Sequence, residues 1–150
     1  MKKSAGILVY KKENNKTYVF LSHPGGPYWE NKSTHCWSIP KGEQNEEEDL
    51  LETAIREFKE ETNLDITSEL AFLGTKKVNN NKLVTVFYTN QDLDETKAKS
   101  NYFELEWPPK SGIINKYPEM DKSAWIELDK AKELIFENQL YFLEKLEEIL

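Results

Sequence analysis

Between Gly42 and Leu64 the chain reads GEQNEEEDLLETAIREFKEETNL, and several of its acidic side chains fall where a helix would crowd them. At 100° per residue, Glu57, Glu60 and Glu61 occupy an arc of about 100°, with Leu51, Ile55 and Phe58 on the neighbouring arc. This predicts a core-facing side next to a carboxylate side. Like charges three or four residues apart on a helix cost about 0.2 to 0.5 kcal/mol per pair, a cost an exposed face tolerates. Charge pattern alone therefore favours a solvated face over a cation site. Glu46, Glu47, Glu48 and Asp49 weaken the cation reading further, because acids in a first helical turn complement the helix dipole whatever the function. The chemistry open to such a cluster is that of hard cations, which prefer oxygen ligands and keep several waters.

The elements that must position these residues follow from pattern. Residues 5–10 and 17–21 are short apolar runs around Glu13-Asn14-Asn15-Lys16, a predicted hairpin. His23-Pro24-Gly25-Gly26-Pro27 reads as loop, since two prolines and two glycines do not continue a ladder. A brief strand is predicted at 37–39, stopped by Pro40. Beyond the acidic helix, 70–78 and 83–89 flank Asn79-Asn80-Asn81 as a second hairpin. A polar stretch (90–101), a strand (102–107), a loop (108–121) and a short strand (124–128) come next. Closing helix is read from the spacing of Leu134, Ile135, Tyr141, Phe142, Leu146 and Ile149, with Asp129 as N-cap and a break near Asn138. Strands, helix, strands, helix in that order imply an α/β or α+β sandwich with a mixed sheet.

Composition bounds the function. With 150 residues, 38% of them hydrophobic, the chain has material for one core, so residues 1–150 are read as one domain. No run approaches the roughly 18 apolar residues of a membrane span, and the N-terminus has no leader pattern. The expectation is a soluble cytoplasmic protein without a membrane partner. The lone Cys36 permits no disulfide within the chain and reads as packing. A net charge of −7 disfavours duplex nucleic acid, whose binding rests on Lys and Arg. A small phosphorylated ligand is compatible if a divalent ion mediates.

The same stretch resembles the signature of the Nudix hydrolase family, G-x5-E-x7-R-E-U-x-E-E-x-G-U with U bulky and apolar. Eight of nine specified positions match: Gly42, Glu48, Arg56, Glu57, Phe58, Glu60, Glu61 and Leu64. Asn63 stands where the pattern has Gly, and Asn is the next most tolerant of the left-handed backbone that ends a helix. The resemblance implies an α/β/α sandwich and a Mg²⁺ or Mn²⁺ site on a loop-helix-loop. Glu57, Glu60 and Glu61 would supply carboxylates and Gly42 a carbonyl. It also implies that Arg56 pairs with Glu48 to brace the loop, and that bound metal offsets phosphate charge and activates water. The family takes its base from a motif glutamate or from a later acid. Glu104 and Glu106 are the later acids considered; Glu106, beside Trp-Pro-Pro, is the favoured one of the two, as an additional ligand or base or else as a plain surface group.

His-Pro-Gly-Gly-Pro at 23–27, Glu-Trp-Pro-Pro-Lys-Ser-Gly at 106–112 and Tyr-Pro-Glu-Met-Asp-Lys-Ser-Ala-Trp at 117–125 are similar to a bacterial subgroup of NTP pyrophosphohydrolases within that family. That subgroup is broadly like asymmetrical diadenosine tetraphosphate hydrolases. Two readings stand for each remaining candidate. Lys41 is a phosphate contact or a solvated loop charge. Gly25 and Gly26 let amides approach phosphate or form a tight turn, and Tyr28, Trp29 and Trp107 stack on a base or pack. His23 and His35 lack metal spacing and read as structural or surface groups. Three functions remain: a metal-dependent hydrolase of nucleoside polyphosphates, a non-catalytic nucleotide sensor, and an interaction protein with a solvated acidic helix. Oligomeric state is not legible.

Overall fold

The computed structural model describes residues 1–150. The first hairpin forms as expected from β1 (Lys2–Glu13) and β2 (Lys16–Pro24), with Asn14 and Asn15 at φ 54° and 64° in the turn. Two left-handed residues give the turn the twist that antiparallel strands need. There follow β3 (Lys41–Glu43), α1 (Leu50–Thr62), β4 (Ala71–Asn79), β5 (Lys82–Asn90), β6 (Tyr102–Glu106), β7 (Ile114–Pro118), β8 (Met120–Glu127), α2 (Leu128–Leu134) and α3 (Leu140–Ile149).

The main sheet runs β4-β5-β1-β2-β8, with β3 also paired to β1. The β1–β5 pair is parallel and the others antiparallel, so the sheet is mixed. Both faces of β1 are covered, and residues 4–9 are continuously buried as a result. Ala5, Ile7 and Val9 pack with Phe20, Ala54, Phe58 and Leu93 under α1. Leu8 points the other way, into a core with Val19, Leu21, Val86, Ile135, Phe142 and Leu146 under α2 and α3. Helix, sheet and helix thus form the expected α/β/α sandwich. No helix is long and apolar enough to cross a membrane.

One half of β1 pairs with β2 (Tyr10↔Val19 to Glu13↔Lys16) and the other with β3 (Ser4↔Glu43, Ala5↔Gly42, Gly6↔Lys41). The site loop is therefore anchored to the middle of the sheet. At the close approach a Cβ on Gly6 would run into the Pro40 carbonyl. Helix α1 begins at an Asp49 capping box, in which Glu52 N–H donates to Asp49 at 2.8 Å and Asp49 N–H donates to Glu52 at 3.1 Å.

Helix α1 ends at Asn63, φ 59° and ψ 15°, whose N–H donates to the Lys59 carbonyl at 2.8 Å. Asn63→Gly is expected to change unfolding free energy by under about 1 kcal/mol and leave activity near wild type. Asn63→Val is expected to cost about 1 to 2 kcal/mol, because a β-branched residue resists the left-handed region. Urea unfolding and a rate measurement on both variants check this.

Several sequence-based expectations need correction. Leu51 and Ile55 are exposed, at 40% and 46%, and the buried side of α1 is Thr53, Ala54, Phe58, Glu61 and Thr62. One carboxylate, Glu61, therefore shares the inner side of the helix with Phe58, and the buried arc is rotated away from Leu51 and Ile55. Residues 37–39 form no strand of the main ladder. Their backbone straps the layers together instead, with Ser38 bonded to Ser22 at 2.9 Å and Trp37 N–H to the Leu134 carbonyl at 2.9 Å. His23 and Pro24 extend β2 rather than opening a loop. His23 is buried, its Nδ1 2.9 Å from Asp121 and its Nε2 on the Lys32 carbonyl. The stretch 108–121 contains β7, paired with β6 in a separate two-stranded sheet. Asp129 lies inside α2 and makes no side-chain cap, while the break near Asn138 is a short 3₁₀ turn at Glu137–Gln139.

Candidate active site

Arg56 organises the site. Its Nε and Nη2 grip Glu48 at 2.8 and 3.0 Å, a two-point contact that suits the planar guanidinium. Nη2 also donates to the Glu43 carbonyl at 2.8 Å, so one side chain ties both ends of the 43–48 loop to the helix. Nη1 reaches Glu57 at 2.8 Å and Glu60 at 3.1 Å. The Glu48 carboxyl is held down to about 2 by the Arg56 bond first and the Thr53 hydroxyl second.

Glu61 is 7% exposed, and its Oε2 is buried without a hydrogen-bond partner. Burial pushes its carboxyl up to about 8; Lys41 pulls the other way, and Glu57 adds to the rise. Glu57 is also raised, by burial first, against the pull of Arg56 and with further pushes from Glu60 and Glu119. A Cβ on Gly42 would overlap the Glu57 carboxyl, so glycine leaves the space that this carboxylate fills.

A divalent cation suits these residues. The buried Glu61 Oε2 has no hydrogen-bond partner, and its acidic neighbour Glu57 offers further hard oxygens. Arg56 rather than a shared centre holds Glu57 and Glu60, and no three acidic groups converge on one point.

A later acid does face this helix, but it is Glu119 and not Glu106. Asn101 N–H donates to the Glu60 carbonyl at 3.2 Å, and Glu119 N–H to the Asn101 carbonyl at 2.8 Å, which fixes the base of the β6–β7 hairpin against α1. The Glu119 carboxyl is raised by partial burial and then by the Glu60 charge. Glu106 stands five residues up β6 from Asn101, about 16 Å along a strand. There its carboxylate accepts the Lys110 N–H at 2.8 Å. Glu104 is opposite Lys116, part-way up the same hairpin.

Of the two loop glycines, Gly25 does not present a free amide. Gly25 N–H donates to the Glu119 carbonyl at 2.8 Å, and a Cβ on Gly25 would strike the Pro118 carbonyl. Gly26, at φ 95°, turns the chain beside the Phe103 ring. Gly25 thus holds the Glu119 corner in place. Trp29 packs edge-on against Phe136 at 5.7 Å, whereas Tyr28 is 57% exposed with Lys32 Nζ 3.5 Å from its ring centre.

Lys41 is half-buried. Desolvation lowers its ammonium pKa first and the Lys82 charge second, while Glu61, Glu57 and Glu43 oppose. It lines a cavity of about 300 Å³ with Lys82, Val78, Val84, Met120 and Phe136. Lys82 and Glu119 are the neighbours of the site that sequence reading missed. The Pro118-Glu119-Met120-Asp121 corner was visible in the sequence, but only the hairpin geometry sets it beside α1.

An α/β/α sandwich carrying a braced loop-helix of carboxylates defines the class of protein. The chain belongs to the NUDIX domain family, whose model matches residues 2–146. No curated protein matches it in sequence. Among solved structures it is similar to the NUDIX domain of Shewanella oneidensis NrtR complexed with ADP ribose, at 15% identity, 98% of this chain, 86% of that one and TM-score 0.66. A C. elegans Ap4A hydrolase binary complex is similar at 24% identity, 99% and 97% coverage and TM-score 0.60. The MutT protein of Methanosarcina mazei Go1 is similar at 20% identity, 99% and 94% coverage and TM-score 0.61. At these identities the likenesses establish the fold.

Proposed function

We propose that the chain, as one domain over residues 1–150, is a Mg²⁺- or Mn²⁺-dependent pyrophosphohydrolase acting on a nucleoside polyphosphate. The observation that carries this reading is the buried Glu61 carboxylate, whose Oε2 has no partner, near Glu57, which itself lies against Gly42. Glu57, Glu60, Glu61 and the Gly42 carbonyl would hold the cation, Glu57 and Glu60 turning from Arg56 to do so, and the bound ion would offset the charge on the polyphosphate and acidify water. Arg56 fixes the loop and orients Glu57 and Glu60. Glu119 faces the same helix end and takes the part expected of a later acid, accepting the proton of the attacking water. The acidic chain accommodates an anionic substrate because its carboxylates are spent on the cation. A reducing cytoplasmic setting belongs to the same reading, supported by the single buried Cys36.

The substrates to compare are a dinucleoside tetraphosphate and a nucleoside triphosphate, suggested by the similarity to the bacterial subgroup and by the Ap4A hydrolase among the relatives in fold. Diadenosine tetraphosphate plus water should give ATP and AMP. A triphosphate plus water should give monophosphate and pyrophosphate. Product identification after incubation with Mg²⁺ or Mn²⁺ tests the reading, which fails if neither substrate nor any other nucleoside polyphosphate is cleaved.

The assignment of the later acid is separately testable. Glu119→Gln is expected to lower kcat by about 10²- to 10⁴-fold, the range for a lost general base. Glu106→Gln should stay within a few-fold of wild type. The reverse pattern in steady-state kinetics would return the role to the hairpin tip.

A further inference from the structure

Resting on the hydrolase reading, we propose that Lys41 and Lys82 form an anion subsite that grips a phosphate of the substrate chain while the adjoining apolar wall seats a single nucleoside. The two lysines come from different strands, β3 and β5, and both line the 300 Å³ cavity, although like charges repel. Their neighbour Lys2 has an ion-pair partner, Glu43 at 3.6 Å; Lys41 and Lys82 have none. Two unpaired ammonium groups at one cavity in a chain of net charge −7 mark a place that an anion completes.

The rest of the wall says what the anion is attached to. Val78, Val84, Met120 and Phe136 present apolar surface, and Trp29 backs Phe136 at 5.7 Å. The volume lies at the lower end of small-ligand pockets, which suits one nucleoside and leaves no seat for a second. The wall is fixed by Gln139, whose Oε1 accepts the Ile39 N–H at 2.8 Å and whose Nε2 donates to Ser38 at 3.0 Å. Lys41 also connects the cavity to the catalytic carboxylates, because its backbone N–H faces Glu61. Beyond Lys82 and Asn79 the surface continues into a hollow of about 540 Å³ without a hydrophobic side chain, a setting for phosphate or sugar rather than a base.

The test is calorimetric titration with inorganic pyrophosphate in EDTA, where no metal can mediate. Wild type should bind, Lys82→Gln should bind about tenfold more weakly, the size of a lost charge-assisted hydrogen bond, and Lys82→Arg should retain most of the affinity. In hydrolysis assays Lys82→Gln should raise KM with kcat nearly kept. Wild type that does not bind pyrophosphate, or Lys82→Gln that binds it equally, overturns the subsite. Weakened binding in Lys82→Gln together with a wild type that cleaves no nucleotide would instead sink the hydrolase reading and leave the subsite standing. Lys82 lies outside the core, so thermal melting of each variant should match wild type.

Discussion

Glu61→Gln is expected to reduce kcat by at least about 10³-fold while leaving the metal-free protein as stable as wild type or more so. Removing the carboxylate takes away an ionic cation ligand, and the amide keeps its shape. In the metal-free protein the same carboxylate is a liability, being buried with Oε2 unpartnered and its pKa raised to about 8. Below the unfolded value near 4.3 the group is protonated in both states and contributes nothing. Between there and about 8 the folded state binds the extra proton, so stability falls as pH rises across that window and levels off above it. The full loss is several kcal/mol. Glu61→Gln should flatten this slope, which urea unfolding in EDTA from pH 5 to 9 would reveal. A mutant with wild-type turnover at saturating Mg²⁺, or an unchanged slope, would contradict the assignment.

Gly42→Ala should be nearly as damaging to turnover, for a steric reason. Its Cβ would occupy the space of the Glu57 carboxyl. The neighbour in the way is the end of a flexible side chain, so the fold should survive with Glu57 displaced from Gly42 and from Arg56, its partner at 2.8 Å. A loss of about 10²-fold or more in kcat is expected, in line with the sensitivity of catalysis to displacements near 1 Å. Melting temperature should drop by only a few degrees. Gly42→Ala with normal kcat would mean that the Glu57 position is immaterial.

The site helix was legible because its fixed positions are tied to one another. Glu48 and Arg56, eight residues apart, meet across the loop, and Asn63 adopts the left-handed turn expected of that position. Helical periodicity placed Phe58 in the core correctly but turned the inner side away from Glu61 and toward Leu51 and Ile55, since it assumes that buried means apolar. Here Glu61 is buried and Ile55 is not. Both hairpins with asparagine turns were readable from local chemistry. The β6–β7 hairpin was only half readable: Ile113, Ile114 and Tyr102 are exposed and no buried alternation marks β7. Missing β7 hid its corner, and with it Glu119. Lys82 escaped for a different reason, because a lysine beside a turn is ordinary until the sheet sets it by Lys41.

The most direct test of the cation site is Mn²⁺ titration calorimetry in buffers of different ionisation enthalpy, at pH 7 and at pH 9. Glu61 holds its proton at pH 7 in the metal-free protein and must release it to ligate a cation. Saturable binding with release of about one proton per ion at pH 7, and almost none at pH 9, is the expected result. Absence of saturable binding at either pH, or binding that releases no proton at pH 7, would contradict a cation seated on Glu61.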